Sequence, residues 1–404
     1  PMGTAFFPFI YASALENGSN SGEKLIDEAM DNRQVMIDGV EGILGEWGNE
    51  VPKPRYEGKI SMREALAGSK IAATVRLGRK VGLNKVWDTA EKFGFTRPDG
   101  SLLNKTLLGS EESSLDTLVR SYGAFANEGK MMEELVWITK IEDAKGKELY
   151  KWEGSEKSKQ VVSNSTAFLI HTMLEDALKK GSGKRLFKKS NMGKFMGGGK
   201  TGTTYDFSNN WFVGYNGRVT CGVWAGFYDG SNTEIYPEAF SVDTVMPVWV
   251  DTMKKAESKL SRGVIKMPDE IVSIKICKQS GMIATKSCEE YQHDVVTGEK
   301  TYVSTSHDEY FHRTKRPRGA CPLHGASLGD FHDGVELGEM SSIERLNTVP
   351  IKPKEPTLVG EDPYKAEASV YAEKNSVSMV AGRGLSAMNF ELSEVVKDKV
   401  MIPM

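Results

Sequence analysis

The chain has 404 residues, enough for two or three domains with full hydrophobic cores. Its 52 Lys and Arg stand against 55 Asp and Glu, a net charge of -3 with no long run of one sign. That balance excludes a nucleic-acid binder working through bulk positive charge, and no apolar stretch reaches the roughly 18 residues that a membrane-spanning helix requires. Pro1 runs directly into an apolar segment without a signal-peptide pattern, so the sequence is expected to be a piece of a longer chain.

Residues 4–17 (TAFFPFIYASALEN) are almost wholly apolar and close at Asn17-Gly18, a helix stop. Pro8 fits only a first turn, which puts the helix start near Thr4, and a helix apolar on every side is a buried one. Residues 19–59, rich in Gly, Asn and charge, read as loops. Ser61-Met62-Arg63-Glu64 is a capping box, and helical patterns follow at 71–81, 84–93, 114–127 and 163–180. Between the last two, 135–153 alternates and turns at Lys145-Gly146 as a hairpin. The strongest strand signal is 196–228, where a Gly-rich run precedes WFVGY and VTCGVWAGFY on either side of Asn216-Gly217. Three consecutive antiparallel strands are predicted, the first open to close approach of a ligand or backbone. Residues 241–258 return to an amphipathic helix.

This order defines an α+β architecture, an antiparallel sheet flanked by helices with a helical subdomain. One domain is assigned to 1–258 and a small Cys-containing extension to 259–330. Residues 331–404 hold five of the 15 prolines and little apolar periodicity, and read as a linker or tail.

The run GGGKTGTT at 197–204 admits two functional readings. A phosphate-binding loop needs G-x-x-x-x-G-K-[ST], but the position of its first glycine holds Lys194, and LFKKSNMGKF ahead of it is no buried strand. The other is the Lys-Thr-Gly strand of penicillin-recognising acyltransferases. KTGTTYDFSNNWFVGYNG, GTAFFPFIYASALENG, SMREALAGSK, SYGAFANEGK and the Gly181-Ser182-Gly183-Lys184 turn together resemble the transpeptidase domain of class A, bifunctional penicillin-binding proteins over residues 1–258. The unit ending Cys321-Pro322-Leu323-His324-Gly325 resembles their C-terminal extension.

The resemblance implies the penicillin-recognising serine acyltransferase fold, here without its N-terminal strands, and transpeptidation of peptidoglycan stem peptides ending in D-Ala-D-Ala, a step that β-lactams intercept. It implies an upstream glycosyltransferase domain and membrane anchor in the full-length protein, and the extracytoplasmic, periplasmic face of a bacterial inner membrane. No cofactor, metal or nucleic acid is implied. In the family a Ser at the start of a buried helix attacks the substrate carbonyl and a Lys at i+3 takes its proton. A Ser-x-Asn pair assists, and the Lys-Thr-Gly strand binds substrate. Here Thr4 stands for the Ser, Phe7 for the Lys, and Ile71 for the Asn beside an intact Ser69; Lys200, Thr201, Gly202 and Thr203 are whole. A phenyl ring accepts no proton, and a hydroxyl without a base is a poor nucleophile at neutral pH. An impaired enzyme or pseudoenzyme is therefore expected, the alternative being an active D,D-transpeptidase. Ser21-Gly22-Glu23-Lys24, a literal Ser-x-x-Lys, lies in a loop and reads as a chance match.

Cys277, Cys288 and Cys321-x-x-His324 admit a zinc site. Only one close pair has ligand spacing, however, and the family works where disulfides persist. A Cys288–Cys321 disulfide is expected, with Cys221 a buried small residue. His171, inside an apolar helical pattern, is expected to be a core or boundary residue.

Overall fold

Residues 1–31, 56–153, 157–204, 206–227, 233–260, 263–293 and 300–324 are described by the structure, a computed structural model; the tail expected over 331–404 lies outside them. Pro8 has no N–H to give the Thr4 carbonyl, and the N–H of Phe7 reaches it instead at the tighter spacing. The chain therefore opens with a 3-10 turn, Gly3–Phe6, that runs into α1, Phe7–Glu16, capped by Asn17. Strands β1, Lys24–Asp27, and β2, Gly58–Ser61, pair antiparallel within the region read as loop. Four-residue strands carry too little alternation to be seen in sequence.

Ser61 then opens α2, Met62–Ala67, with the full capping box: its hydroxyl accepts the Glu64 N–H, and the Glu64 carboxylate accepts the Ser61 N–H. Helices α3, Ile71–Val81, α4, Leu83–Lys92, and α5, Leu115–Ala126, follow as the periodicity predicts. With α1 they enclose an aromatic core in which Phe9 packs against Phe93, Phe95, Tyr122 and Phe125 at centroid distances of 4.7 to 5.7 Å, a range in which ring pairs attract. Strand β3, Lys130–Met132, precedes the expected hairpin of β4, Lys140–Glu142, and β5, Glu148–Lys151, and pairs with β6, Ser158–Gln160.

Helix α6, Asn164–Lys179, starts at the Ser163 cap, and α7, Lys184–Lys189, follows the Gly-Ser-Gly turn. The central sheet comprises β7, Gly197–Thr203, β8, Asn209–Asn216, and β9, Thr220–Gly226, antiparallel in the order β9-β8-β7 among the described residues. The Asn216 side chain accepts the N–H groups of Arg218 and Val219 at 2.9 Å each, which closes the predicted turn as a three-residue loop. The single helix expected over 241–258 is two, α8, Ser241–Thr244, and α9, Met246–Lys259. Pro247 withholds the N–H that a continuous ladder needs.

The C-terminal unit pairs β10, Ile271–Cys277, with β13, Ser306–His312, and β11, Glu289–His293, with β12, Lys300–Ser304. It is tied to the larger domain by a buried ion pair. Arg63 Nε donates to Glu309 Oε2 at 2.9 Å, and its guanidinium also donates to the Thr172 carbonyl at 2.8 Å. Glu309 is wholly buried, which alone would raise its pKa, but the Arg63 charge and hydrogen bonds from His307 and Arg63 hold it down to about 2.

Candidate active site

Two glycines bring the first helical turn against β7. Gly3 has φ +55°, and a Cβ on it would stand 2.2 Å from the Thr203 carbonyl oxygen; a Cβ on Gly202 would meet Ala5 Cβ at 2.6 Å. Only unsubstituted backbone allows this approach. Strand alternation then turns Lys200 and Gly202 toward α1 and α2, and Thr201 and Thr203 to the opposite face. On that opposite face Thr201 and Thr203 exchange hydrogen bonds with Ser182 and Ser241 at 2.9 and 2.6 Å.

Four polar groups meet on the inner face. Lys200 Nζ donates to Ser69 Oγ at 2.6 Å and to the Thr201 carbonyl at 3.1 Å, and Thr4 Oγ1 donates to that same carbonyl at 3.0 Å. Thr4 and Lys200 are thereby linked through one acceptor although 196 positions separate them. Ser69 lies between α2 and α3 at φ 58°, a left-handed conformation uncommon outside glycine and found where tertiary contacts hold a functional side chain.

Phe7 is fully buried, and its ring centroid is 5.5 Å from Lys200 Nζ, within reach of a cation–π attraction. The ring fills space one helical turn beyond Thr4. Lys200 is itself completely buried, and loss of hydration pulls its pKa from 10.5 down to about 7. Its amine is therefore partly neutral at physiological pH, the state that can accept a proton.

The structure thus brings Thr4, Phe7, Ser69, Lys200 and the Thr201 carbonyl together on the inner face, beside Gly202, while the hydroxyls of Thr201 and Thr203 lie on the opposite face of the same strand. Ile71 differs: it is buried in the apolar core at the start of α3 and offers no donor or acceptor to a ligand. Lys70, between Ser69 and Ile71, turns away to Asp27 and Glu57 at 3.3 and 2.9 Å. Ser241, which holds the Thr203 hydroxyl, was not legible in the sequence, where no motif marks it. Ser21 and Lys24 bond to the carbonyls of Tyr310 and Lys278 and have no part in the site. His171 is buried on α6, and desolvation lowers its pKa to about 4.

The expected Cys288–Cys321 disulfide is not formed. All four cysteines are free, and the thiols of Cys277, Cys288 and Cys321 converge with His324. Spacing misled because Cys277 and Cys288 are brought together by a turn and a β-bridge between Ile276 and Ile283, not by a short Cys-x-x-Cys segment.

A hydroxyl on the first turn of a buried helix thus shares one strand carbonyl with a buried lysine that bonds to a serine, within an α+β fold of helices packed on an antiparallel sheet. A solved structure of penicillin-binding protein 1A from Haemophilus influenzae has this fold, with a TM-score of 0.64 and 24% identity over 79% of this chain and 49% of that one. The chain belongs to the penicillin-binding protein transpeptidase domain family, whose profile matches residues 1–227. It is 27% identical over 274 residues to penicillin-binding protein 1A of Neisseria lactamica, covering 67% of this chain and 33% of that protein. To the Rickettsia conorii protein of the same name it is 29% identical over 296 residues, 68% of this chain and 36% of that one. The chain spans about a third of the length of these relatives.

Proposed function

We propose that this chain is the transpeptidase module of a bacterial peptidoglycan synthase, acting on the extracytoplasmic side of the inner membrane, and that its acylation step is impaired. Family membership supports the first part. In the reaction a hydroxyl adds to the penultimate D-Ala carbonyl, and its proton passes through an adjacent amine to the departing terminal D-Ala. The amino group of a second stem then displaces the hydroxyl from the resulting ester. The strand Lys200–Thr203 suits the substrate's carboxylate and backbone. A glycosyltransferase domain and membrane anchor elsewhere in the full-length protein belong to the same reading, supported by the greater length of the relatives.

The observation that carries the impairment is Phe7. A fully buried ring occupies the position one turn from Thr4 where a proton acceptor is required, and loss of a positioned base alone costs about 10²–10⁴-fold. Thr4 compounds it, since its methyl narrows the approach of a carbonyl. The test is incubation with labelled penicillin followed by intact mass measurement. No covalent adduct is expected, while weak reversible binding at Lys200–Thr203 survives. Stoichiometric acylation at Thr4, abolished by Thr4→Ala, would overturn the reading.

A further inference from the structure

The C-terminal unit has little apolar core of its own. Ile274, Ile276, Ile283 and Phe311 form one small cluster, and beside it Cys277, Cys288 and Cys321 are each buried to 1% exposure or less. Units of this size ordinarily need a covalent or metal staple. The three cysteine ligand atoms and that of His324 lie within 4.8 Å of one another. His324 Nδ1 is 3.2 Å from Cys321 Sγ and 3.5 Å from Cys277 Sγ. In a tetrahedral zinc site, with Zn–S about 2.3 Å and Zn–N about 2.05 Å, adjacent ligand atoms stand roughly 3.6–3.8 Å apart. A disulfide would draw two sulfurs to about 2.05 Å and leave a thiol and an imidazole unused.

The backbone orients each ligand. Cys277 ends β10 in a tight turn whose N–H and carbonyl are held by Met282 and Gly281 at 2.8 Å each, with Gly281 at φ +73°. The Cys321 N–H is fixed to the Ile283 carbonyl at 2.8 Å. Donors point at the sulfurs themselves: the Thr285 N–H reaches Cys288 Sγ and the Ser280 hydroxyl reaches Cys321 Sγ, both at 3.2 Å. Such outer hydrogen bonds favour thiolate over thiol and are the usual surroundings of a metal-bound cysteine.

We propose that Cys277, Cys288, Cys321 and His324 bind one zinc ion in a closed, structural site that clamps the C-terminal extension. Three thiolates and one imidazole in tetrahedral array are a zinc donor set. Four protein ligands leave no position for substrate, so the role is cohesion and not catalysis. On binding, the three thiols release their protons. The clamp joins the segment after β10 to the segment after β13. Since β13 carries Glu309, the buried partner of Arg63, the ion holds in place the strand that docks the extension on the transpeptidase domain.

The test uses the full chain, stripped of metal under reducing conditions and titrated with cobalt(II), then zinc. We expect thiolate-to-cobalt absorption and tetrahedral d–d bands that saturate at one equivalent and vanish with one equivalent of zinc. Protein purified without chelator should carry one zinc per chain. Cys221→Ala leaves these results unchanged, Cys288→Ser abolishes the tetrahedral spectrum, and His324→Ala weakens zinc binding by at least about tenfold. In case those variants unfold, alkylation of the unmodified protein gives an independent readout: three cysteines are protected until chelator is added. A Cys288–Cys321 crosslink in the freshly purified chain, or a folded, reduced chain without a tetrahedral cobalt spectrum, overturns the proposal.

Discussion

Replacing Phe7 by lysine asks whether one missing base silences the site. A second ammonium in the volume of the Phe7 ring would stand about 5.5 Å from Lys200 Nζ. At an effective dielectric near 20 the repulsion is about 3 kcal/mol, equivalent to about 2 pKa units. Lys200 already titrates at about 7 because burial strips its hydration. At pH 7 to 8 the pair then holds no more than about one proton, and the amine at position 7, a helical turn from the nucleophile, is the base whenever that proton sits on Lys200. The double variant Thr4→Ser/Phe7→Lys should therefore acylate with labelled penicillin about 10²–10⁴ times faster than Thr4→Ser alone. Its rate should rise with pH as the ammonium gives up its proton. The cost is stability, since a second cation enters where the Phe7 ring and Lys200 are both fully buried, and melting temperature records it. The assay is time-resolved intact mass, with circular dichroism to confirm folding. A folded double variant that labels no faster than Thr4→Ser refutes the reasoning.

Lys200→Met should stabilise the protein. The folded-state pKa of Lys200 is lowered, so the buried charge weighs fully against folding below about pH 7 and progressively less as pH rises toward 10.5. The gain, up to about 5 kcal/mol by linkage, should shrink over that interval in urea titrations. Glu309→Gln should cost about 3–5 kcal/mol, because it leaves the Arg63 guanidinium buried without its main counter-charge; Asp176 at 3.4 Å keeps the loss toward the lower figure. The depressed Glu309 pKa predicts that the same contribution is present above about pH 4.5 and is lost as pH falls toward about 2, which acid denaturation of the parent and of Glu309→Gln would separate. Gly202→Ala should destabilise by about 1–3 kcal/mol and weaken reversible β-lactam binding, since its Cβ would press on Ala5 and on the Met2 carbonyl; unchanged binding would show that the helix-to-strand approach does not shape the site.

Local order along this chain was legible wherever one segment contains its own signal. The α1 pattern, the Ser61 capping box, the turn at Lys145-Gly146 and the β7–β9 run around Asn216-Gly217 each carry cap, period and stop within a few residues, and each is present in the structure. The candidate site residues could be named for a related reason: Lys200-Thr201-Gly202 and the Thr4 and Phe7 positions stand in ordered motifs of the family the sequence resembles. Features that join distant segments were not. The β1–β2 ladder, the Arg63–Glu309 ion pair across 246 positions and the use of one carbonyl by Thr4 and Lys200 depend on how helices and strands are stacked, and no local pattern encodes that stacking. The cysteines show the limit most directly. Spacing along the chain favoured a pair, but three-dimensional convergence joined three thiols and an imidazole, because a turn and a β-bridge shorten in space what ten residues separate in sequence.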